Sequence, residues 1–466
     1  MSGLYTTLIA HGLFPLQERF KHHSTVAVRR EMERVQWLPR AEIEELQARR
    51  LRAFIADITT HVPYYRDLFA GRGMSAADIR TPADLGRLPL LTKGLIRAHA
   101  DALRADDARR LARFNTGGSS GEPLVFYIGA ERVSHDVAAK WRATRWWNVD
   151  IGDPEIVVWG SPIELGAQDR VRALRDAVMR TELLPAFEMS DAKLDHFLER
   201  IRARRPRMLF GYPTAIAIVA RHARRRGVRM DDLGIAVAFV TAEQLLPDQA
   251  STIAAIFGCP VANGYGGRDA GFIAHACPHG GLHVTADDIV VETIDSNGRP
   301  VGPGVAGEIV VTHLATRDFP FVRYRTGDLG MLSEATCPCG RGLPLLHEVT
   351  GRTTDMIVAA DGSLVHGLGV VYPIRELPGI EAFKVIQETR TQLRVLVVAS
   401  DAYTRREEER MITGLRARLG ASVGVTVERV AAIPPERSGK YRYVQSRVAA
   451  TEPATASPVN GGCAGA

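Results

Sequence analysis

The sequence predicts an α/β protein: a large N-terminal domain of α/β units with a distorted β-barrel region, then a small α+β C-terminal domain. Three observations carry this. At 466 residues the chain is too long for one small core. Between 111 and 350, short β-rich runs alternate with helical patterns, as in parallel α/β units. After Gly351-Arg352 the pattern changes to a few strands around one charged helix. The expected domains are 1–350, with a mainly helical lead-in over 1–110, then 351–450, then a disordered tail over 451–466.

In the lead-in, Arg40 to Thr60 places Ile43, Leu46, Leu51, Phe54, Ile55 and Ile58 at helical spacing with charges between them. Candidate strands follow at 155–159, 207–211 and 235–240, each ahead of a helix-like segment. The runs 289–294 and 307–311 are separated by the turn-rich Asp295-Ser296-Asn297-Gly298, which predicts antiparallel pairing. In the small domain, Met356-Ile357-Val358, a turn at Asp361-Gly362, and strands over 383–387 and 393–398 precede a helix over 404–419 and a strand over 423–430. The tail is rich in Ala, Gly, Pro and Thr, which cannot bury enough apolar surface to order.

Composition narrows the function classes. Hydrophobic and charged contents of 45% and 24% are those of an ordinary globular chain. The net charge of +6 comes mainly from arginine, in clusters such as 202–207 and 221–226. These read as solvated helix faces, with an acidic partner or a membrane surface as the alternative. No aromatic residues interleave with them, so nucleic acid is not expected. No run is apolar for the 18 or so residues that span a bilayer. Leu4 to Leu16 is mildly apolar, without a basic leader or cleavage site, and is not read as a signal peptide. Five cysteines in a chain of this length do not suggest a disulfide framework, and a cytoplasmic protein is expected.

Two groups of residues carry chemistry. The first is an ordered series. It opens with Asn115-Thr116-Gly117-Gly118-Ser119-Ser120-Gly121-Glu122-Pro123, three glycines and three hydroxyl side chains whose backbone N–H groups could wrap a polyphosphate. A polar hairpin turn is the plainer reading. Downstream come Tyr265-Gly266-Gly267-Arg268-Asp269, Tyr324-Arg325-Thr326-Gly327-Asp328, Gly351-Arg352 and Ser438-Gly439-Lys440. The second group is Cys277-Pro278-His279-Gly280-Gly281-Leu282-His283 with Cys337-Pro338-Cys339. Three thiols and an imidazole in two tight turns suit a tetrahedral structural Zn²⁺, with Cys277, His283, Cys337 and Cys339 as ligands and His279 as the rival imidazole.

The ordered series resembles the adenylate-forming enzymes, and within them the phenylacetate–CoA ligase group and its capsule-biosynthesis relatives. The resemblance runs from about Val62-Pro63-Tyr64-Tyr65-Arg66 to Lys440. It implies activation of a small carboxylic acid by ATP and Mg²⁺ to an acyl-adenylate, then acyl transfer, most simply to coenzyme A. It places Thr116, Gly118, Ser119, Ser120, Gly121, Tyr265 and Gly266 against the nucleotide and Asp269 at magnesium, where the family has glutamate. Arg268 would reach a phosphate. Asp328 would hold the ribose hydroxyls, and Arg352 would add a nucleotide contact. Lys440 would bridge the substrate carboxylate and the α-phosphate. Trp159, Tyr212, Phe239, Thr241, Gly264 and Gly267 would line a pocket for an aryl or arylalkyl acid. The loop departs from the family by following Gly121 with Glu122-Pro123 instead of lysine, and Thr354 stands where a hinge acid is usual.

Two rival readings remain. One keeps adenylation and transfers the acyl group to an amine in polysaccharide or metabolite assembly. The other is a zinc-stabilised binding protein without catalysis. A phosphotransfer NTPase is set aside, because the glycine-rich run lacks a Gly-Lys-Ser/Thr ending. The oligomeric state is left open, a homodimer included.

Overall fold

A computed structural model describes residues 3–115, 124–159, 170–186, 189–352, 356–362, 364–366, 370–371, 373–374, 377–434 and 442–448. Backbone packing divides the chain into two units. One spans Met1–Arg352, and the other takes Thr353–Pro434 and the chain from Arg442. The tail over 451–466, expected to be disordered, lies outside the described residues.

The lead-in is helical. In Arg40–His61 the six apolar residues at helical spacing are all buried, each contributing about 1.5–3 kcal/mol. Gln47, buried with them, donates through Nε2 to the carbonyls of Ala286 and Ile289 at 2.7 and 3.0 Å, tying this helix to the sheet.

A two-stranded hairpin follows, β1 (Ala112–Asn115) with β2 (Val125–Ile128), paired antiparallel from Ala112↔Ile128 to Asn115↔Val125. Next come β3 (Glu155–Trp159), β4 (Thr181–Pro185), β5 (Met208–Gly211), β6 (Val237–Thr241) and β7 (Val261–Gly267). They pair in parallel in the order β4-β3-β5-β6-β7. Helices Arg170–Met179, Asp191–Arg204, Pro213–Arg226 and Pro247–Phe257 connect them. β5 and β6 are buried at every residue, as expected for parallel strands covered on both faces.

The antiparallel region continues the same sheet. β8 (Gly271–Ala276), β9 (Leu282–Val284), β10 (Ile289–Ile294), β11 (Gly307–His313), β12 (Phe321–Ser333) and β13 (Leu345–Arg352) complete an 11-stranded order, β10-β11-β12-β13-β9-β8-β7-β6-β5-β3-β4. Register shifts break the pairings β7–β8, β11–β12 and β12–β13. Such irregularities bend a sheet and re-aim side chains, and here they fall beside both Tyr-x-x-x-Asp motifs. Leu91 exchanges backbone hydrogen bonds with Arg323 and Arg325, so the lead-in also holds β12.

The second unit holds the small α+β arrangement expected after Arg352. β14 (Met356–Val358) pairs with β15 (Leu364–His366). β16 (Ile380–Thr389), β17 (Gln392–Ala399), β18 (Gly424–Arg429) and β19 (Val444–Ser446) form a sheet in the order β18-β17-β16-β19. The helix Arg405–Leu419 starts with a Thr404/Glu407 capping box and buries Met411, Leu415 and Leu419.

One buried charge pair holds the large unit. Arg142 and Asp287 are both fully buried, 3.3 Å apart, and Arg142 also donates to the Thr285 hydroxyl. Arg142→Ala would strand the Asp287 carboxylate in the core and is expected to cost about 3–5 kcal/mol. Urea unfolding followed on the large unit reads this as a lowered midpoint; an unchanged midpoint would refute the role.

Candidate functional site

The expected pocket residues gather at the carboxyl ends of the parallel strands, where open α/β sheets bind ligands. Trp159 ends β3, Tyr212 follows β5, Thr241 ends β6, and Gly264 to Gly267 end β7. Trp159 stacks on Tyr212 with ring centroids 4.2 Å apart and on Phe210 at 5.9 Å, and Phe210 stacks on Phe239 at 6.0 Å. Burial, with the charge of Glu243, raises the Tyr212 hydroxyl above its usual range, so it stays protonated. Thr241 pairs with Gly264 across β6 and β7. A Cβ on Gly264 would lie 2.8 Å from the Phe239 ring, so this glycine lets the ring lie against the strand end. The result is a stack of flat aromatic faces, with Trp159 only half-buried.

The two carboxylates are cross-braced. The Tyr265 hydroxyl donates to Asp328 Oδ2 at 2.9 Å, and the Tyr324 hydroxyl donates to Asp269 Oδ2 at 2.6 Å. Each motif's tyrosine thus holds the other motif's aspartate. Burial, and then the Asp328 charge, push the Tyr265 phenol well above its ordinary value, which keeps it a donor. Asp269 Oδ1 accepts the Ala270 N–H at 3.1 Å.

Asp269 does not cap a helix over 270–274. Residues 271–276 are strand β8, and Gly267 pairs with Gly271, so Asp269 sits in the β7–β8 turn. Gly266 backs onto the Gly271 carbonyl, where a Cβ would come within 2.1 Å, and this close approach sets the turn. Asp328 follows Gly327, whose φ of 77° favours glycine. Its N–H donates to the Thr326 hydroxyl at 3.1 Å, and it lies opposite Arg352 in the β12–β13 register.

The β1–β2 hairpin brackets the glycine-rich run. Thr116, Gly118, Ser119, Ser120 and Gly121 lie outside the described residues, as do Lys440 and the side chain of Arg352. Arg268 marks where the run begins: its Nη1 donates to the Asn115 carbonyl at 3.3 Å. That brings the β7–β8 turn beside the start of the run.

The cysteine and histidine group converges. Cys277, His283, Cys337 and Cys339 each offer a ligand atom, all within 4.8 Å of one another. Cys277 Sγ and Cys337 Sγ are 3.5 Å apart, and Cys339 Sγ is 3.2 Å from His283 Nε2. A tetrahedral zinc with Zn–S bonds of about 2.3 Å sets its sulfurs about 3.8 Å apart, close to this spacing. His283 Nδ1 lies 3.4 Å from the Leu343 carbonyl, and donating to it would free Nε2 as the ligand atom. His279 is exposed and outside the group. Burial pushes the Cys277 thiol up to about 12 and His283 down to about 4. A bound cation would favour the thiolate that burial alone disfavours. Gly281 keeps the site open, since a Cβ there would lie 2.7 Å from Cys337 Sγ.

A second set, His135, Asp136 and His313, is less suited to a metal. The Ala315 N–H donates to His313 Nδ1 at 3.3 Å, which puts the ring proton on Nε2, facing Asp136. Asp136 is already bound by Arg132 Nε at 2.9 Å.

Two contributors went unassigned in the sequence reading. Tyr324 braces Asp269, and Arg132 Nη1 donates to the Asp269 carbonyl at 3.4 Å. Tyr324 had a readable signal, because both motifs place tyrosine four residues before aspartate. Arg132 had none, since only the fold brings the helix Ala130–Arg145 to this turn.

Comparison with known proteins gives likenesses of sequence and of fold. Residues 357–447 match the CapK C-terminal domain. Over 411 residues the chain is 24% identical to protein CapK of Staphylococcus aureus, covering 87% of this chain and 90% of that protein. It is 26% identical to a phenylacetate-coenzyme A ligase of Thermus thermophilus, covering 69% and 73%. Among solved structures it matches 2-hydroxyisobutyryl-CoA ligase in the postadenylation state in complex with R3-HIB-AMP. That match has a TM-score of 0.72 and 20% identity over 89% of this chain and 91% of that one. The chain therefore resembles CapK and the phenylacetate–CoA ligases along its sequence and has the fold of an adenylate-forming CoA ligase.

Proposed function

We propose that this protein is an AMP-forming acid ligase that activates a carboxylic acid with ATP and Mg²⁺ and passes the acyl group to coenzyme A. The reciprocal bracing of Asp269 and Asp328 by Tyr324 and Tyr265 carries the reading. Two braced carboxylates, Asp269 in the β7–β8 turn and Asp328 within β12, with the aromatic stack at the ends of the parallel strands, suit a nucleotide and a flat acid. Asp269, oriented by two hydrogen bonds, would hold magnesium against the phosphates. Asp328 would accept the ribose hydroxyls. Trp159, Tyr212 and Phe239 supply faces for an aryl or arylalkyl acid, and Gly264 and Gly267, without side chains, let the Phe239 ring and the Asp269 carboxylate approach the strand end. The glycine-rich run would hold the triphosphate, Arg268 and Arg352 would add positive charge, and Lys440 would meet the charge that develops as pyrophosphate leaves. The need for ATP and coenzyme A supports a cytoplasmic activity.

A second reading keeps the adenylation and changes the acceptor to an amine. What supports it is that the likeness to the phenylacetate-coenzyme A ligase covers 69% of the chain, whereas the likeness to protein CapK covers 87% and residues 357–447 match the CapK C-terminal domain. Carboxylate-dependent exchange of labelled pyrophosphate into ATP, over aryl, arylalkyl and short aliphatic acids, tests the shared first step. No exchange with any acid, in folded protein with magnesium present, would overturn both readings. Coenzyme A and amine acceptors supplied to the responding acid then separate them.

Cys277, His283, Cys337 and Cys339 are proposed to hold one structural zinc, since four protein ligands leave no open position for substrate. Metal analysis of the purified chain should find about one zinc per chain. Cys277→Ser or Cys339→Ser should lose it and lower the melting temperature by about 5 °C or more. Wild-type zinc content in both variants would rule the site out.

A further inference from the structure

The chain is helical from Leu4 to Phe20, with a π turn over Ile9–Leu13. Pro15 supplies the cause. It has no N–H, and its ring crowds the carbonyl four residues back, so the turn ahead of it widens and the Phe14 N–H donates to the Ile9 carbonyl. The inner face is packed: Ile9, Ala10 and Phe14 are buried, and Phe14 meets Trp141 edge-on at 5.1 Å.

The outer face is apolar too. Leu4, Leu8, Leu16 and Phe20 are 94%, 65%, 50% and 77% exposed. They recur at steps of four, with Gly12 in the gap, and form one stripe about 24 Å long. A helix that only needed to pack inward would carry polar residues there.

The exposed charge within residues 3–30 has one sign. Glu18 is the only carboxylate between residues 3 and 30, and it is buried, held by Lys21 at 3.6 Å and His23 at 3.1 Å. Arg19 and Lys21 flank Phe20 and are exposed. On the other side, the Tyr5 hydroxyl donates to the Val178 carbonyl at 2.7 Å, which brings alongside the helix Arg170–Met179 with its exposed Leu174. The Arg180 guanidinium lies over the Tyr5 ring.

We propose that this stripe docks on an anionic lipid bilayer: Leu4, Leu8, Leu16 and Phe20 enter the headgroup–acyl boundary, and Arg19 and Lys21 meet the negative headgroups. The helix lies on the membrane, because no helix among the described residues is long and apolar enough to cross one. A second copy docking stripe to stripe would set one basic rim against another, with no exposed carboxylate in 3–30 to answer it.

The test is co-sedimentation of the full chain with vesicles of phosphatidylcholine alone or mixed with phosphatidylglycerol. Wild type should bind the anionic vesicles, less so as salt rises, and bind the neutral ones weakly. Leu8→Ser/Leu16→Ser/Phe20→Ser should weaken anionic-vesicle binding about tenfold or more, with melting temperature and pyrophosphate exchange unchanged. Arg19→Gln/Lys21→Gln should lose the preference for anionic over neutral vesicles. No binding by wild type, or equal binding by the triple variant, overturns the proposal. So does a concentration-dependent dimer in light scattering that the triple variant abolishes, which would assign the stripe to a second copy.

Discussion

Asp328→Ala should lower kcat/KM for ATP in pyrophosphate exchange by about 10²-fold or more without unfolding the chain. The magnitude follows from the bonds lost: two ribose hydroxyls donating to a carboxylate, each worth about 1.5–3 kcal/mol. The fold should survive because Asp328 is partly exposed, at a bend that Gly327 and the Thr326 hydroxyl shape without it. Tyr265→Phe separates bracing from binding. It keeps the carboxylate but removes the donor that aims it, so a loss of about tenfold is expected, mostly in KM for ATP. Asp328→Ala with wild-type ATP kinetics would remove the residue from the nucleotide site. Equal losses from Tyr265→Phe and Asp328→Ala would instead make the tyrosine a direct participant.

That brace shows where sequence reasoning ended. The parallel strands were legible because each is a short apolar run followed by a helical pattern. The small unit was legible because its strands, capping box and turn are all local signals. β4 was not, since Thr181–Pro185 opens on Thr-Glu, ends on proline, and sits at the sheet edge, where burial is partial. The segment 270–274 allowed a helix because a short run with alanines has no decisive period. What made it a strand is Gly266 packed against the Gly271 carbonyl, a contact that residue types alone do not encode. In the cysteine group the ligand types were readable and His283 was preferred with His279 as rival, and the β8–β9 pairing is what turns His283 inward. The pairing of Tyr265 with Asp328, and of Tyr324 with Asp269, depends on the β7–β8 turn meeting the middle of β12, two motifs far apart in the sequence. The N-terminal segment looked only mildly apolar, because the sequence does not say which face the rest of the protein covers.

Lys440→Ala should slow acid-dependent pyrophosphate exchange by about 10²-fold or more. Its place lies outside the described residues, so the argument is chemical. As the substrate carboxylate attacks the α-phosphate, negative charge builds on oxygens that neither aspartate can neutralise, since Asp269 and Asp328 are themselves anions. Backbone N–H groups of a glycine-rich loop and a metal answer the β and γ phosphates, which leaves the carboxylate and α-phosphate needing a mobile cation. A compact ammonium on a flexible stem, after a glycine, suits that task, and a planar guanidinium does not reproduce it, so Lys440→Arg should recover little. The decisive comparison is between half-reactions. Supplied with a preformed acyl-adenylate, Lys440→Ala should transfer the acyl group at close to the wild-type rate, because attack there is at the acyl carbon with AMP leaving, and no carboxylate has to approach the α-phosphate. Loss of both steps in parallel would point to a structural role for the lysine, and retention of exchange would remove it from the reaction.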